Sequence, residues 1–219
     1  MKVSYTKYAL AATFAATTVA YVAQAPAQAA IPFKDIQNVG DHYTAIDELY
    51  NLGIIEGRSL TAFAPYEAAT RAELALFIAN ALNLDTKNVA DPGFTDVPKN
   101  SKYYGAIAAL YNEGIISGYS DKTFKPNNNV TRSQVAKMLV LGFDLELANT
   151  TTTKFKDVNA LTDLNARRYI QTLVQYNITK GTSETTFSPN DHVKRAQLAT
   201  FLKRAIDNTI SDFEIISVE

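Results

Sequence analysis

The 219-residue chain contains no cysteine, no tryptophan, two methionines and two histidines. The missing thiols exclude disulfides, thiolate metal sites and a cysteine nucleophile, and they suit an exported protein that does without cross-links. His42 and His192 lie in different parts of different segments, and no His-x-x-x-His, Gly-x-Ser-x-Gly or Walker pattern occurs. Each histidine reads as a lone surface residue, nothing singles out a catalytic carboxylate pair, and the chain is not expected to be an enzyme. Asp121 stands in the only loop with a hint of cation chemistry, without the alternating carboxylates of a calcium loop, so neither a metal nor a cofactor is expected. An excess of one charge is also missing. Lys and Arg number 21 against 22 Asp and Glu, so no bulk field draws the chain to nucleic acid or an anionic membrane.

Apolar residues make up 47% of the chain, enough for a real core. The start reads as an export signal over 1–29. Lys2 and Lys7 form a positive region, Tyr8 to Val22 an apolar stretch, and Ala27-Gln28-Ala29 a small-residue cleavage site that leaves Ala30 first. Thr13, Thr17 and Thr18 interrupt the stretch, which falls short of the roughly 20 apolar residues a membrane helix needs. Cleavage removes Lys2 and Lys7, so the 21 basic side chains fall to 19 and the mature net charge is near −3. On a slightly acidic protein, anion binding has to come from a few placed cations.

Three copies of one pattern follow at a period of about 60 residues. Each opens on Phe-x-Asp: Phe33-Lys34-Asp35, Phe94-Thr95-Asp96 and Phe155-Lys156-Asp157. A helix-spaced segment comes next, with Ile46, Leu49 and Tyr50, then Ile107, Leu110 and Tyr111, then Ile170, Leu173 and Val174. It stops at Gly53, Gly114 or Asn177, residues suited to a left-handed helix end. A further glycine (Gly57, Gly118, Gly181) precedes Phe-x-Pro by six residues in every copy: Phe63-Ala64-Pro65, Phe124-Lys125-Pro126 and Phe187-Ser188-Pro189. A second helix then begins at Thr70-Arg71-Ala72-Glu73, Thr131-Arg132-Ser133-Gln134 and Lys194-Arg195-Ala196-Gln197. The first two are capping boxes and the third lacks the hydroxyl.

A two-helix unit this small cannot bury both apolar faces alone, so the copies have to pack on one another. The expected organisation is a signal peptide over 1–29, repeats over 30–90, 91–150 and 151–206, and a short tail over 207–219. Arg71, Arg132 and Arg195 stand in the first helical turn, where the macrodipole disfavours a cation. Two readings of this recurrence stand side by side. One is an anion bound at the helix N-terminus by exposed N–H groups and the guanidinium. The other is an internal salt bridge, for instance to Asp35, Asp96 or Asp157. Those aspartates in turn read either as loop caps or as ligand contacts.

The tripled combination of Phe-x-Asp, Gly-Ile-Ile-x-Gly, Phe-x-Pro and Thr-Arg-Ala-Glu behind a signal peptide closely resembles the S-layer homology family over Phe33 to Ile206. The resemblance implies an all-α fold of three helix-loop-helix repeats packed as a pseudo-threefold bundle, with grooves between neighbouring copies. It also implies a secreted protein of a Gram-positive surface that anchors non-covalently to a secondary cell-wall polysaccharide attached to peptidoglycan, often ending in pyruvylated N-acetylmannosamine. Carried over by position, Arg71, Arg132 and Arg195 would meet the ketal carboxylate or nearby hydroxyls. Asp35, Asp96 and Asp157, with backbone around Gly57, Gly118 and Gly181, would line the grooves. Copy three departs most from the pattern, through Lys194, Asn177 and a spacing of 63 rather than 61 residues between arginines. The alternative expectation is a structural component of the surface layer that acts mainly through contacts with other S-layer proteins.

Overall fold

A computed structural model describes residues 31–216, with side chains described to residue 209, so the expected signal peptide lies outside the described residues. Within them the fold is all-α and carries no strand. The helices are α1 (Tyr43–Asn51), α2 (Arg71–Ala81), α3 (Tyr104–Asn112), α4 (Arg132–Gly142), α5 (Lys156–Asn159), α6 (Leu164–Gln175) and α7 (Arg195–Ile216).

Each copy contributes a first helix (α1, α3 or α6) and a second (α2, α4 or α7), and the apolar spacing predicts which faces are buried. Ile46, Leu49, Ile107, Leu110, Ile170 and Leu173 have no exposed surface, nor do Leu74, Phe77, Val135, Leu139, Leu198 and Leu202. These side chains belong to one continuous core that crosses all three copies. At about 25 cal/mol per Å² of apolar surface, such burial is the main force holding the copies together.

The helix ends follow the sequence. Thr70 and Thr131 close complete capping boxes with Glu73 and Gln134. Copy three keeps half a box, since Lys194 N donates to Gln197 Oε1 at 3.1 Å. Gly53, Gly114 and Asn177 have φ of 70°, 74° and 54°. In each case that residue and the isoleucine after it donate back to the last turn, as in Ile54 N to Leu49 O at 2.9 Å and Ile178 N to Leu173 O at 2.9 Å. The short α5, within the opening Phe-x-Asp segment of copy three, has no counterpart helix in the other copies. α7 does not stop at Ile206 but continues to Ile216, through residues assigned above to a tail.

The copies meet in cyclic order. α2 packs on α3, α4 on α6, and α7 returns to α1, while α2, α4 and α7 also touch one another. A ring of three backbone hydrogen bonds ties the equivalent residues of the loops before the second helices. Val130 N donates to Ala69 O (2.9 Å), Val193 N to Val130 O (3.1 Å) and Ala69 N to Val193 O (2.8 Å). The third bond joins the last copy to the first and closes the cycle.

Candidate functional site

The aspartate of each Phe-x-Asp reaches the Phe-x-Pro loop of its own copy and takes two consecutive N–H groups. Asp35 accepts from Phe63 N (2.9 Å) and Ala64 N (2.8 Å), and Asp96 from Phe124 N (2.8 Å) and Lys125 N (2.7 Å). Asp157 accepts from Phe187 N (3.1 Å) and Ser188 N (2.7 Å). Ala64, Lys125 and Ser188 all have φ of 60°, in the left-handed region that residues with a Cβ rarely occupy. The carboxylate thus holds a turn that the sequence alone does not favour. The second glycine has a matching task, because a Cβ on Gly57, Gly118 or Gly181 would lie 2.4, 2.3 or 2.4 Å from Cε1 of Phe33, Phe94 or Phe155. Its absence lets the opening phenylalanine lie against the loop backbone.

So held, each loop presents a buried ring and a carbonyl oxygen to the neighbouring copy, and an arginine fills the seat. Arg71 Nε donates to Phe124 O (2.9 Å), Arg132 Nε to Phe187 O (2.6 Å) and Arg195 Nε to Phe63 O (2.7 Å). The same guanidiniums stack on the phenylalanine rings, with Cζ 4.6, 4.5 and 4.5 Å from the centroids. The three arginine residues are 7%, 4% and 1% exposed. Burial lowers the pKa of all three from the ordinary arginine value. An arginine nevertheless stays cationic, so each seat holds a positive charge.

The helix N-termini are already engaged. Arg71 N donates to Asn128 O and Ala72 N to Pro126 O, Arg132 N to Asp191 O and Ser133 N to Pro189 O, and Arg195 N to Glu67 O and Ala196 N to Pro65 O. Thr70 and Thr131 take the next donor of their helices. The exposed N–H groups expected to greet an anion are therefore spent on the adjoining copy, and what remains is the guanidinium itself. The expected salt bridges to Asp35, Asp96 and Asp157 do not form either, because those carboxylates are occupied by their loops.

Arg195 differs from the other two. Its Nη1 donates to Glu73 Oε1 (2.6 Å) and its Nη2 to Glu56 O (2.6 Å), so all three nitrogens have partners. Glu73 also receives Arg58 Nε (2.9 Å) and Thr70 N (2.8 Å). Burial pushes the Glu73 carboxyl up, but the hydrogen bond from Arg58 and the charge of Arg195, with Thr70, hold it below the ordinary value. For Arg71 and Arg132, Nε makes the only side-chain hydrogen bond among the described residues. Arg132 Nη2 is buried with no acceptor.

A polar groove of about 630 Å³ opens beside Arg195 and draws its lining from all three copies, including Gly57, Thr70, Tyr103, Asn127 and Asn129. Its charged members pair off: Arg58 with Glu67 and Glu73, Arg195 with Glu73, and Lys102 with Glu56. Arg58 and Glu56 were not legible as site residues, since Arg58 aligns with Tyr119 and Thr182 and carries no repeated signal. Glu73 was visible as a capping residue only. Among the described residues, no cluster of three or more His, Asp or Glu could hold a metal, and no helix is long and apolar enough to cross a membrane.

Comparison with known proteins agrees with this architecture. The family model of the S-layer homology domain matches residues 32–75, 93–136 and 154–199. A surface-layer 125 kDa protein of Lysinibacillus sphaericus is 32% identical over 94% of the chain and 18% of its own length. The S-layer protein sap of Bacillus anthracis is 32% identical over 90% of the chain and 24% of its own length. A cellulosome-anchoring protein of Acetivibrio thermocellus is 29% identical over 66% of the chain and 33% of its own length. The chain thus spans only about a fifth to a third of the length of these three relatives. Three family matches, falling on the three copies whose loops and arginines form the ring, show that the chain belongs to the S-layer homology domain family and is associated with the cell surface and its wall.

Proposed function

We propose that the chain anchors non-covalently to an anionic secondary cell-wall polysaccharide attached to peptidoglycan, and that the acidic, pyruvylated terminal sugar is received at the arginine seats between copies. The observation that carries this reading is Arg132. The residue is 4% exposed, its guanidinium is stacked on Phe187, and its buried Nη2 has no acceptor among the described residues. A buried cationic donor without a partner is costly, and a carboxylate is the group whose geometry meets it. Arg71 is likewise stacked on Phe124, and on Tyr119, with Nε its one hydrogen-bonded side-chain nitrogen among the described residues, but the buried unpartnered nitrogen belongs to Arg132 alone. Asp35, Asp96 and Asp157 act by holding the loops, and Gly57, Gly118 and Gly181 by admitting the opening phenylalanine, so the nine residues form one site type built three times. The cyclic hydrogen bonding supports a pseudo-threefold relation among the copies. The cellulosome-anchoring relative supports an anchoring role.

The test is co-sedimentation of the secreted chain with purified wall polymer, native and depyruvylated. Binding to native polymer that falls at least tenfold on depyruvylation, and falls likewise in an R71Q/R132Q double variant that retains its helical spectrum, is the expected result. Equal binding to both polymers overturns the reading. The second reading, a surface-layer component acting through protein contacts, is favoured by the surface-layer relatives. It requires self-association in the absence of polymer.

A further inference from the structure

We infer that the three arginine seats are functionally unequal, and that Glu73 closes the Arg195 seat to acidic sugars, so that one chain receives two such sugars, at Arg71 and Arg132, and not three. The inference rests on the acidic-sugar reading above and specifies its stoichiometry.

The backbone part of the seat is the same throughout, as the three Nε-to-carbonyl bonds and ring distances show. What differs is the capping residue of the copy that supplies the loop. In copy two it is Gln134, whose Nε2 donates to Tyr119 Oη at 3.2 Å. In copy three it is Gln197, which takes the Lys194 N–H. In copy one it is Glu73, a carboxylate 5% exposed that already occupies Arg195 at 2.6 Å. An incoming sugar carboxylate at Arg195 would meet a guanidinium with no free nitrogen and a buried like charge within hydrogen-bond reach of the same atom. The Arg58 guanidinium beside it is also committed, to Glu67, Glu73 and Ala68 O. At Arg71 and Arg132 no carboxylate makes an ion pair with the guanidinium among the described residues: Asp96 and Asp157 are turned to their loops, and Asp191, whose charge also acts on Arg132, is not hydrogen-bonded to it, so a carboxylate ligand displaces no ion pair.

The arrangement is tested with the mature chain and a defined probe, the methyl glycoside of 4,6-pyruvylated N-acetylmannosamine, with the unpyruvylated glycoside as the neutral control. The readout is the set of assigned arginine Nε–Hε resonances. In the unaltered chain the Arg71 and Arg132 signals are expected to move on titration with the acidic probe and the Arg195 signal to stay. Calorimetry should give two probes per chain. In E73Q, where the amide oxygen can still accept from Thr70 N as Gln134 does from Thr131 N, Arg195 should move as well and the stoichiometry should rise to three. Movement of all three signals in the unaltered chain, or an Arg195 signal still silent in E73Q, overturns the inference while leaving the acidic-sugar reading intact. Failure of every signal to respond overturns both.

Discussion

Replacing Asp96 by alanine separates a loop clamp from a sugar contact. The carboxylate accepts two part-buried backbone N–H groups, from Phe124 at 2.8 Å and Lys125 at 2.7 Å. Hydrogen bonds to a charged acceptor contribute about 1.5–3 kcal/mol each. Allowing for water reaching the half-exposed Lys125 side of the turn, D96A is expected to cost roughly 3–5 kcal/mol. For a chain of this size each kcal/mol lowers Tm by about 2–4 °C, so a fall of roughly 6–20 °C follows. D96N keeps one good acceptor and should lose about half as much. The assay is urea unfolding of the mature chain followed by circular dichroism, with polymer co-sedimentation of the same samples at a temperature where both remain folded. A clamp predicts lost stability with or without polymer, and lost affinity only in proportion to the unfolded fraction. If D96A stays within about 0.5 kcal/mol of the unaltered chain while binding falls tenfold, the clamp reasoning is wrong and Asp96 touches the sugar.

Two further perturbations probe the fold. Asn177 closes α6 at φ 54°, where a Cβ-bearing residue without a local hydrogen-bonding side chain is strained. N177A should therefore cost about 1–2 kcal/mol in urea unfolding, and N177G should be neutral or mildly stabilising. Stability should also fall on acidification in two stages. His42, which shares a 2.7 Å hydrogen bond with Thr200, has its pKa lowered from 6.5, mainly by burial, so its contribution is present above pH 6.5 and is lost as pH falls through its folded value. Glu73, also held below its ordinary value of 4.5, gives a second loss as pH falls below that. Urea midpoints measured from pH 8 to 3 for the unaltered chain, H42Q and E73Q should show each stage flattened in the matching variant.

The parts of this fold that are local in sequence were legible, and the parts that exchange between copies were not. The capping boxes at Thr70 and Thr131 and the left-handed ends at Gly53, Gly114 and Asn177 are set by residues within a few positions of one another, so spacing exposes them. The arginine seats depend on partners 53, 55 and 132 residues away. Repetition makes the three arginines equivalent without revealing that each serves the next copy's loop. The left-handed Ala64, Lys125 and Ser188 gave no signal, because none is the glycine that normally marks such a conformation. Their cause is the distant aspartate. Anion binding at the helix starts requires free N–H groups there, and the ring of copies uses them.

On the proposed reading, that use of the arginines links folding to binding. A guanidinium that braces the neighbouring loop through Nε leaves its two outer nitrogens for other work, and the identity of the adjacent capping residue decides what that work is. Where the residue is glutamine, at copies two and three, the outer nitrogens of Arg71 and Arg132 make no hydrogen bond among the described residues. Where it is Glu73, the outer nitrogens of Arg195 are drawn into a buried ion pair that joins the last copy to the first, at the one junction the chain does not connect covalently. Removing one partner of such a pair strands a buried charge and costs about 3–5 kcal/mol. The junction lacking a covalent link is thus the one with the strongest electrostatic tie, and the two junctions spanned by continuous chain, from α2 to α3 and from α4 to α6, are those with guanidinium to spare. Loss of polymer binding in an arginine variant therefore has a different meaning at each seat: at Arg195 it reports an opened ring, and at Arg71 or Arg132, with stability retained, it reports a lost ligand contact.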